Sequence, residues 1–153
     1  MVYSDIRGYE RFRKMEPLNK GLSSDRKFYI ETADGTRLLL RVSDIAEHDR
    51  KLSEFEKMQR VYALGVPMPR PVDFGVCNDG KSVYKLLTWI DGENAEKALP
   101  ALTAIEQYAL GVKAGDALRK IHSVPAPDHL VNWLTRYTSE IDSRLKWYPP
   151  QWD

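Results

Sequence analysis

Two tight-turn signals bracket a single amphipathic helix in the first half of the sequence, and that order restricts the fold more than any other feature. From Lys27 to Thr32 the residues KFYIET are aromatic and β-branched, and Asp34-Gly35 follows, the pair that supplies positive φ in a hairpin turn. The return strand, Arg37 to Val42, reads RLLLRV, so a period of two puts Leu39 and Arg41 on one face and Leu38, Leu40 and Val42 on the other. Ser43-Asp44 offers a helix cap, with Glu47 three residues beyond Asp44, and Gly65 ahead of Pro67 offers a stop. A helix over about Asp49 to Leu64 is therefore predicted. Pro67, Pro69 and Pro71 force an extended connection; Val72 to Cys77 reads as a strand, and Asn78-Asp79-Gly80 turns the chain into Ser82 to Ile90. With one more extended segment ahead of Lys20, the fold class is α+β: an antiparallel sheet of about five strands plus one helix, occupying residues 1–90.

On that helix Phe55, Met58, Val61, Tyr62 and Leu64 form the apolar side, Glu54 borders it, and Glu56 points more toward solvent. Asp91-Gly92 ends the sheet unit, and residues 91–153 form a second, helical unit. It holds a short EKAL turn and a helix from Thr103 to His122 with Ile105, Ala109, Val112, Leu118 and Ile121 facing inward. Pro125 and Pro127 interrupt it, and a last amphipathic segment, His129 to Lys146, carries Leu130, Trp133, Leu134, Tyr137, Ile141 and Leu145.

Composition narrows the function classes. A chain of 153 residues with 42% hydrophobic and 29% charged residues is long enough to bury a core. With 23 basic against 22 acidic residues, the net charge of +1 gives no one-signed field for nucleic acid or an anionic membrane. Cys77 is alone, which excludes an internal disulfide or a cysteine zinc cluster and favours a reducing compartment. The N-terminal MVYSDIRGYERFRK lacks the apolar centre of a signal peptide, so a cytoplasmic protein is expected. His48, His122 and His129 lie on separate segments with no second ligand at metal spacing, and no metal site is assigned.

The order of these motifs resembles a known family. Lys20-Gly21-Leu22-Ser23-Ser24-Asp25, the hairpin ending in LLLRV, the Glu-bearing helix, VPMPRPVDFG and KLLTWIDGE are similar to the N-terminal lobe of aminoglycoside phosphotransferases, and ALRKIHSVPAP is similar to the segment that opens that family's second lobe. The resemblance implies a protein-kinase-like N-lobe followed by the first helices of a truncated C-lobe. It implies transfer of the γ-phosphate of ATP or GTP to a hydroxyl of a small molecule, with Mg2+ in the complete enzyme and an association with antibiotic resistance. The implied nucleotide-binding residues are Gly21, Ser23 and Ser24 in the loop over the phosphates, Arg41 on the third strand, Glu54 on the helix, and Thr88, Trp89 and Ile90 at the hinge that reads the purine through main-chain groups. Arg41 departs from the family's lysine; its planar, bidentate head does not fit a lysine site by default. Glu54, with Glu56 as fallback, is expected within salt-bridge reach of Arg41. The plainer alternative makes Arg41 an exposed strand cation and both glutamates ordinary surface charges.

One match is set aside: Asp73-Phe74-Gly75 spells the magnesium-binding triplet of protein kinases but precedes the hinge, on a strand edge. The chain contains no His-x-Asp followed by Asn five residues on, so no catalytic residue or magnesium ligand is assigned, and the chain is expected to be inactive alone. The other reading is a non-catalytic kinase-like interaction module or truncated gene product. Either way, the helices after residue 103 carry apolar stripes without an evident cover, and loose packing, self-association or a covering partner chain is expected. Aminoglycoside, macrolide, sugar and choline-like acceptors all stay open.

Overall fold

Strand pairing follows the turn chemistry. The structure is a computed structural model that describes residues 3–19, 21, 23–125 and 132–147. Five strands form one antiparallel sheet in the order β1-β2-β3-β5-β4: β1 (Phe12–Pro17), β2 (Arg26–Thr32), β3 (Arg37–Asp44), β4 (Pro71–Cys77) and β5 (Ser82–Thr88). Gly35 at φ 80° closes the β2–β3 hairpin, and Asn78 (58°), Asp79 (54°) and Gly80 (80°) close β4–β5. Helix α1 (His48–Ala63) joins the two hairpins, entered through a 3-10 turn at Ile45–Glu47 whose Asp44 side chain accepts the Ala46 N–H at 2.8 Å. The α+β class read from the sequence is the one observed.

The two sheet faces differ in kind. Leu38 (7% exposed), Leu40 (0%) and Val42 (1%) point from β3 into a core with Ile30, Tyr84, Leu86 and Cys77. What covers that core is the N-terminal segment: Tyr3 and Ile6 are 4% and 2% exposed, and Tyr3 packs edge-on against Phe28. The sequence reading gave those residues no structural role, although Tyr3, Ile6 and Tyr9 recur every third position. Asp5 pins the segment across the sheet by accepting the Asn78 and Asp79 N–H groups at 2.9 and 3.1 Å.

Helix α1 lies on the opposite face, with Phe55 5.6 Å from the Phe74 ring. Its apolar stripe is shorter than expected: Phe55 and Lys51 are its buried residues, while Tyr62 and Leu64 are 41% and 39% exposed. A polar residue thus occupies a buried turn that a count of hydrophobic positions assigns to solvent.

Beyond the sheet come α2 (Ala95–Ala98), α3 (Ala104–His122) and α4 (Trp133–Leu145). A reciprocal capping box between Thr103 and Glu106 fixes the start of α3. The expected start of the last helix, at His129 with Leu130, lies outside the described residues. The stripes expected to face inward are open: Ile105 is 82% exposed, Val112 50%, Leu118 51% and Trp133 70%. No helix among the described residues is long and apolar enough to cross a membrane.

Leu40→Ala, at the centre of the sheet, is expected to cost about 2–5 kcal/mol of unfolding free energy. Ile105→Ala, on the open face of α3, is expected to change it by less than about 0.5 kcal/mol. Urea unfolding of the two variants beside the parent chain checks the contrast.

Candidate functional site

Strand register brings three cations side by side on the face that α1 covers: Lys27 pairs with Arg41, and Arg41 with Lys85. Like charges opposite one another on a sheet repel. Two carboxylates answer them, one from the serine bend before β2 and one from α1.

The first is Asp25, whose side chain is 1% exposed. Its Oδ2 accepts the Arg41 Nε–H at 2.9 Å and an Arg41 Nη2–H at 2.6 Å. Its Oδ1 accepts from Lys51 Nζ at 2.5 Å and from the Ser43 hydroxyl at 2.9 Å. Burial alone would raise the Asp25 pKa, but hydrogen bonds from Lys51, Ser43 and Arg41 outweigh it and hold the carboxyl at about 2. Lys51, at 4% exposure, gains a second carboxylate from Glu47 at 3.5 Å. The two buried charges, Asp25 and Lys51, are thus paired, the condition under which charges tolerate burial.

The second carboxylate is Glu54, and here the expected geometry is corrected. Glu54 binds Lys85 at 2.8 Å and Arg50 at 2.6 Å, and Arg41 pairs with Asp25 instead. The reason is reach along the helix: Lys51 and Glu54 lie three residues apart on α1, so Lys51 faces the serine bend while Glu54 faces β5. Burial pushes the Glu54 pKa up, and the Lys85 hydrogen bond and charge more than reverse it, leaving it lowered. Glu56, the fallback, is exposed.

The bend itself carries positive φ at Gly21 (94°) and exposed hydroxyls at Ser23 and Ser24. Arg41 Nη2 donates to Ser23 Oγ at 3.1 Å, tying the strand cation to the bend. The Arg41 side chain keeps 29% exposure, and its Nη1 has no hydrogen-bond partner among the described residues. A cavity of about 450 Å³ opens at the bend, lined by Gly21, Ser23, Asp25 and Lys27 among others. Hydroxyl and cationic donors around an open cleft suit an anion with several oxygens.

At the other end of β5, Thr88 Oγ1 accepts the Arg70 N–H at 2.8 Å and the Trp89 N–H donates to Arg37 O at 3.0 Å. Trp89 also meets the Tyr29 ring edge-on at 5.0 Å. Ile90, 51% exposed, has no backbone partner among the described residues. Of the three hinge residues, Ile90 is the one whose N–H has no backbone partner among the described residues.

Asp73-Phe74-Gly75 has structural work. Asp73 accepts from Tyr84 Oη at 2.7 Å, and Phe74 packs between His48 and Phe55. A Cβ at Gly75 would sit 2.9 Å from the Tyr84 ring. His48 and His122 lie on different helices, and His129 is outside the described residues. Among the described residues no group of three or more His, Cys, Asp or Glu side chains is placed to hold a metal ion.

Sequence reasoning missed Asp25, Ser43, Lys51 and Lys85. Lys85 carries the plainest signal, a single cation in the otherwise apolar run SVYKLLT. Asp25 follows the two serines directly, and Lys51 sits three residues before Glu54 in a run of charges that offers no contrast.

A model of the phosphotransferase enzyme family (APH) matches residues 14–152, nearly the whole chain. No curated protein matches it.

Because the Asp25 pKa is lowered from 3.8 to about 2 on folding, its contribution is complete above the unfolded value and is lost as pH falls through the folded one. The stability advantage of the parent chain over Asp25→Asn is expected to shrink by about 2 kcal/mol between about pH 5 and pH 2. Urea unfolding of both chains across that range reads the difference.

Proposed function

The chain belongs to the phosphotransferase enzyme family, and we propose that its sheet lobe holds the triphosphate of ATP or GTP at the serine bend. The γ-phosphate of that nucleotide is the group passed to a hydroxyl of a small molecule. The observation that supports this best is Arg41: it is ordered by Asp25 and Ser23, two residues that line the cleft at the bend, and its Nη1 has no partner among the described residues. In this reading Arg41 meets the phosphate charge, Ser23 and Ser24 add hydroxyl donors, and the Gly21 backbone allows close approach. Thr88, Trp89 and Ile90 mark the purine end, with Ile90 supplying the main-chain contact. Glu54 acts indirectly, by holding Lys85 and with it the strand that leads to the hinge.

No described residue is assigned to proton transfer or to magnesium. The phosphoryl-transfer machinery of kinase-like enzymes needs both, and the 153 residues contain no His-x-Asp followed by Asn five positions on. The chain by itself is accordingly read as binding nucleotide without turning it over. A second reading, a non-catalytic interaction module, draws on a different observation, the open apolar side chains of α3 and α4 such as Ile105 (82% exposed) and Trp133 (70%).

Isothermal titration with ATP and GTP separates the two. The nucleotide reading expects saturable binding, weakened at least about tenfold in Arg41→Ala, the scale of a lost charge-assisted hydrogen bond. Absence of saturation at about millimolar nucleotide, with no thermal shift, overturns it and leaves the interaction module. Size-exclusion chromatography reads the helices: self-association expects elution ahead of a 17.6 kDa monomer, and a compact monomer that binds no apolar dye contradicts it.

A further inference from the structure

Helix α1 reaches the β3 cation by a route of reversed polarity. The expected link was a helix carboxylate on a strand cation; the observed link is a helix cation, Lys51, on a loop carboxylate, Asp25, which in turn holds Arg41. We propose that Asp25 is a positioning residue for the polyphosphate site, aiming Arg41 at the ligand and coupling that aim to helix α1. The inference rests on the nucleotide reading above and adds to it a residue that the reading does not need.

Three observations carry the proposal. First, the Asp25 carboxylate is fully committed: Oδ1 takes Lys51 and Ser43, Oδ2 takes two N–H groups of Arg41, and its side chain is 1% exposed. Although Asp25 lines the cleft, its carboxylate is already occupied by these four donors and acts through them. Second, its plane is set by partners on regular elements, Lys51 on α1 and Ser43 on β3. The guanidinium plane follows, because Nε and Nη2 both bind one oxygen. Third, the edge of Arg41 left over is Nη1, without a partner among the described residues. A free arginine side chain loses rotamer entropy when ordered, and fixing it before the ligand arrives removes that cost from binding.

Electrostatics alone predicts the opposite sign. Asp25 offsets one of the two positive charges it touches, so neutralising it would strengthen attraction for an anion. Positioning predicts weaker binding, and the two accounts are therefore separable.

The experiment titrates ATP, adenosine and inorganic tripolyphosphate, with GTP and guanosine in parallel, into the parent chain, Asp25→Asn, Ser43→Ala, Arg41→Ala and the Asp25→Asn/Arg41→Ala double variant. The expected result is about tenfold weaker binding of the triphosphates and of tripolyphosphate in Asp25→Asn, with nucleoside affinity unchanged. In the Arg41→Ala background Asp25→Asn is expected to add nothing, because the group being aimed is gone. Ser43→Ala removes a single hydrogen bond and keeps both charges, so it decides the matter if Asp25→Asn fails to fold; a loss of about threefold confined to the phosphate-bearing ligands is expected. Equal or tighter tripolyphosphate binding in Asp25→Asn, or, should that variant not fold, an unchanged Ser43→Ala, overturns the proposal. If either result comes with weakened binding in Arg41→Ala, the nucleotide reading stands without it. A parent chain that binds neither ATP nor GTP overturns both.

Discussion

A buried carboxylate with four donors holds this lobe in one arrangement. Asp25 connects the serine bend, β3 and α1 through Arg41, Ser43 and Lys51. Such a network is not the most stabilising way to fill the volume, since well-packed hydrophobic residues often do as well or better. It specifies geometry instead. A cluster of leucines would hold the helix on the sheet in several nearly equivalent positions. An ion-paired aspartate with every lone pair directed holds it in one, and a cleft that must meet a polyphosphate has use for that.

The fold was readable because its information is local. Asp34-Gly35 and Asn78-Asp79-Gly80 name their own turns through the backbone angles they permit, and the alternation in RLLLRV sorts the faces of β3 without reference to anything distant. The site was less readable because its information is not local. The alternation of RLLLRV and the helix stripe single out Arg41 and Glu54 as polar groups bordering apolar positions, but which carboxylate meets which cation depends on helix rotation over the sheet. A shift of three residues along α1 exchanges the partner. No periodicity distinguishes Lys51 as a buried helix residue from Lys51 as a surface one, because the long aliphatic stem makes both comfortable.

The same limit explains the N-terminal cover. Tyr3 and Ile6 sit among charged residues in a segment that reads as solvent-facing, and they become core only because the outer face of β3 offers an apolar surface with no helix to close it. Conversely, Asp73-Phe74-Gly75 looks like a metal motif and is instead a packing unit: the glycine makes room for a tyrosine ring, and the aspartate accepts that tyrosine's hydroxyl. A short motif states residue types and leaves open whose neighbours they are.

The tether from Asp5 to the Asn78–Asp79 turn joins positions 73 and 74 residues apart. During synthesis at about 5–20 residues per second, the N-terminal segment therefore waits roughly 4 to 15 seconds for the turn that receives it to be made. For that interval Tyr3 and Ile6 can meet only the β2–β3 part of the surface they cover, and Asp5 lacks the turn that fixes them in place. A nascent chain of this kind completes its lobe from the front only when the far hairpin arrives, and a fusion partner placed ahead of Tyr3 sits beside that late step.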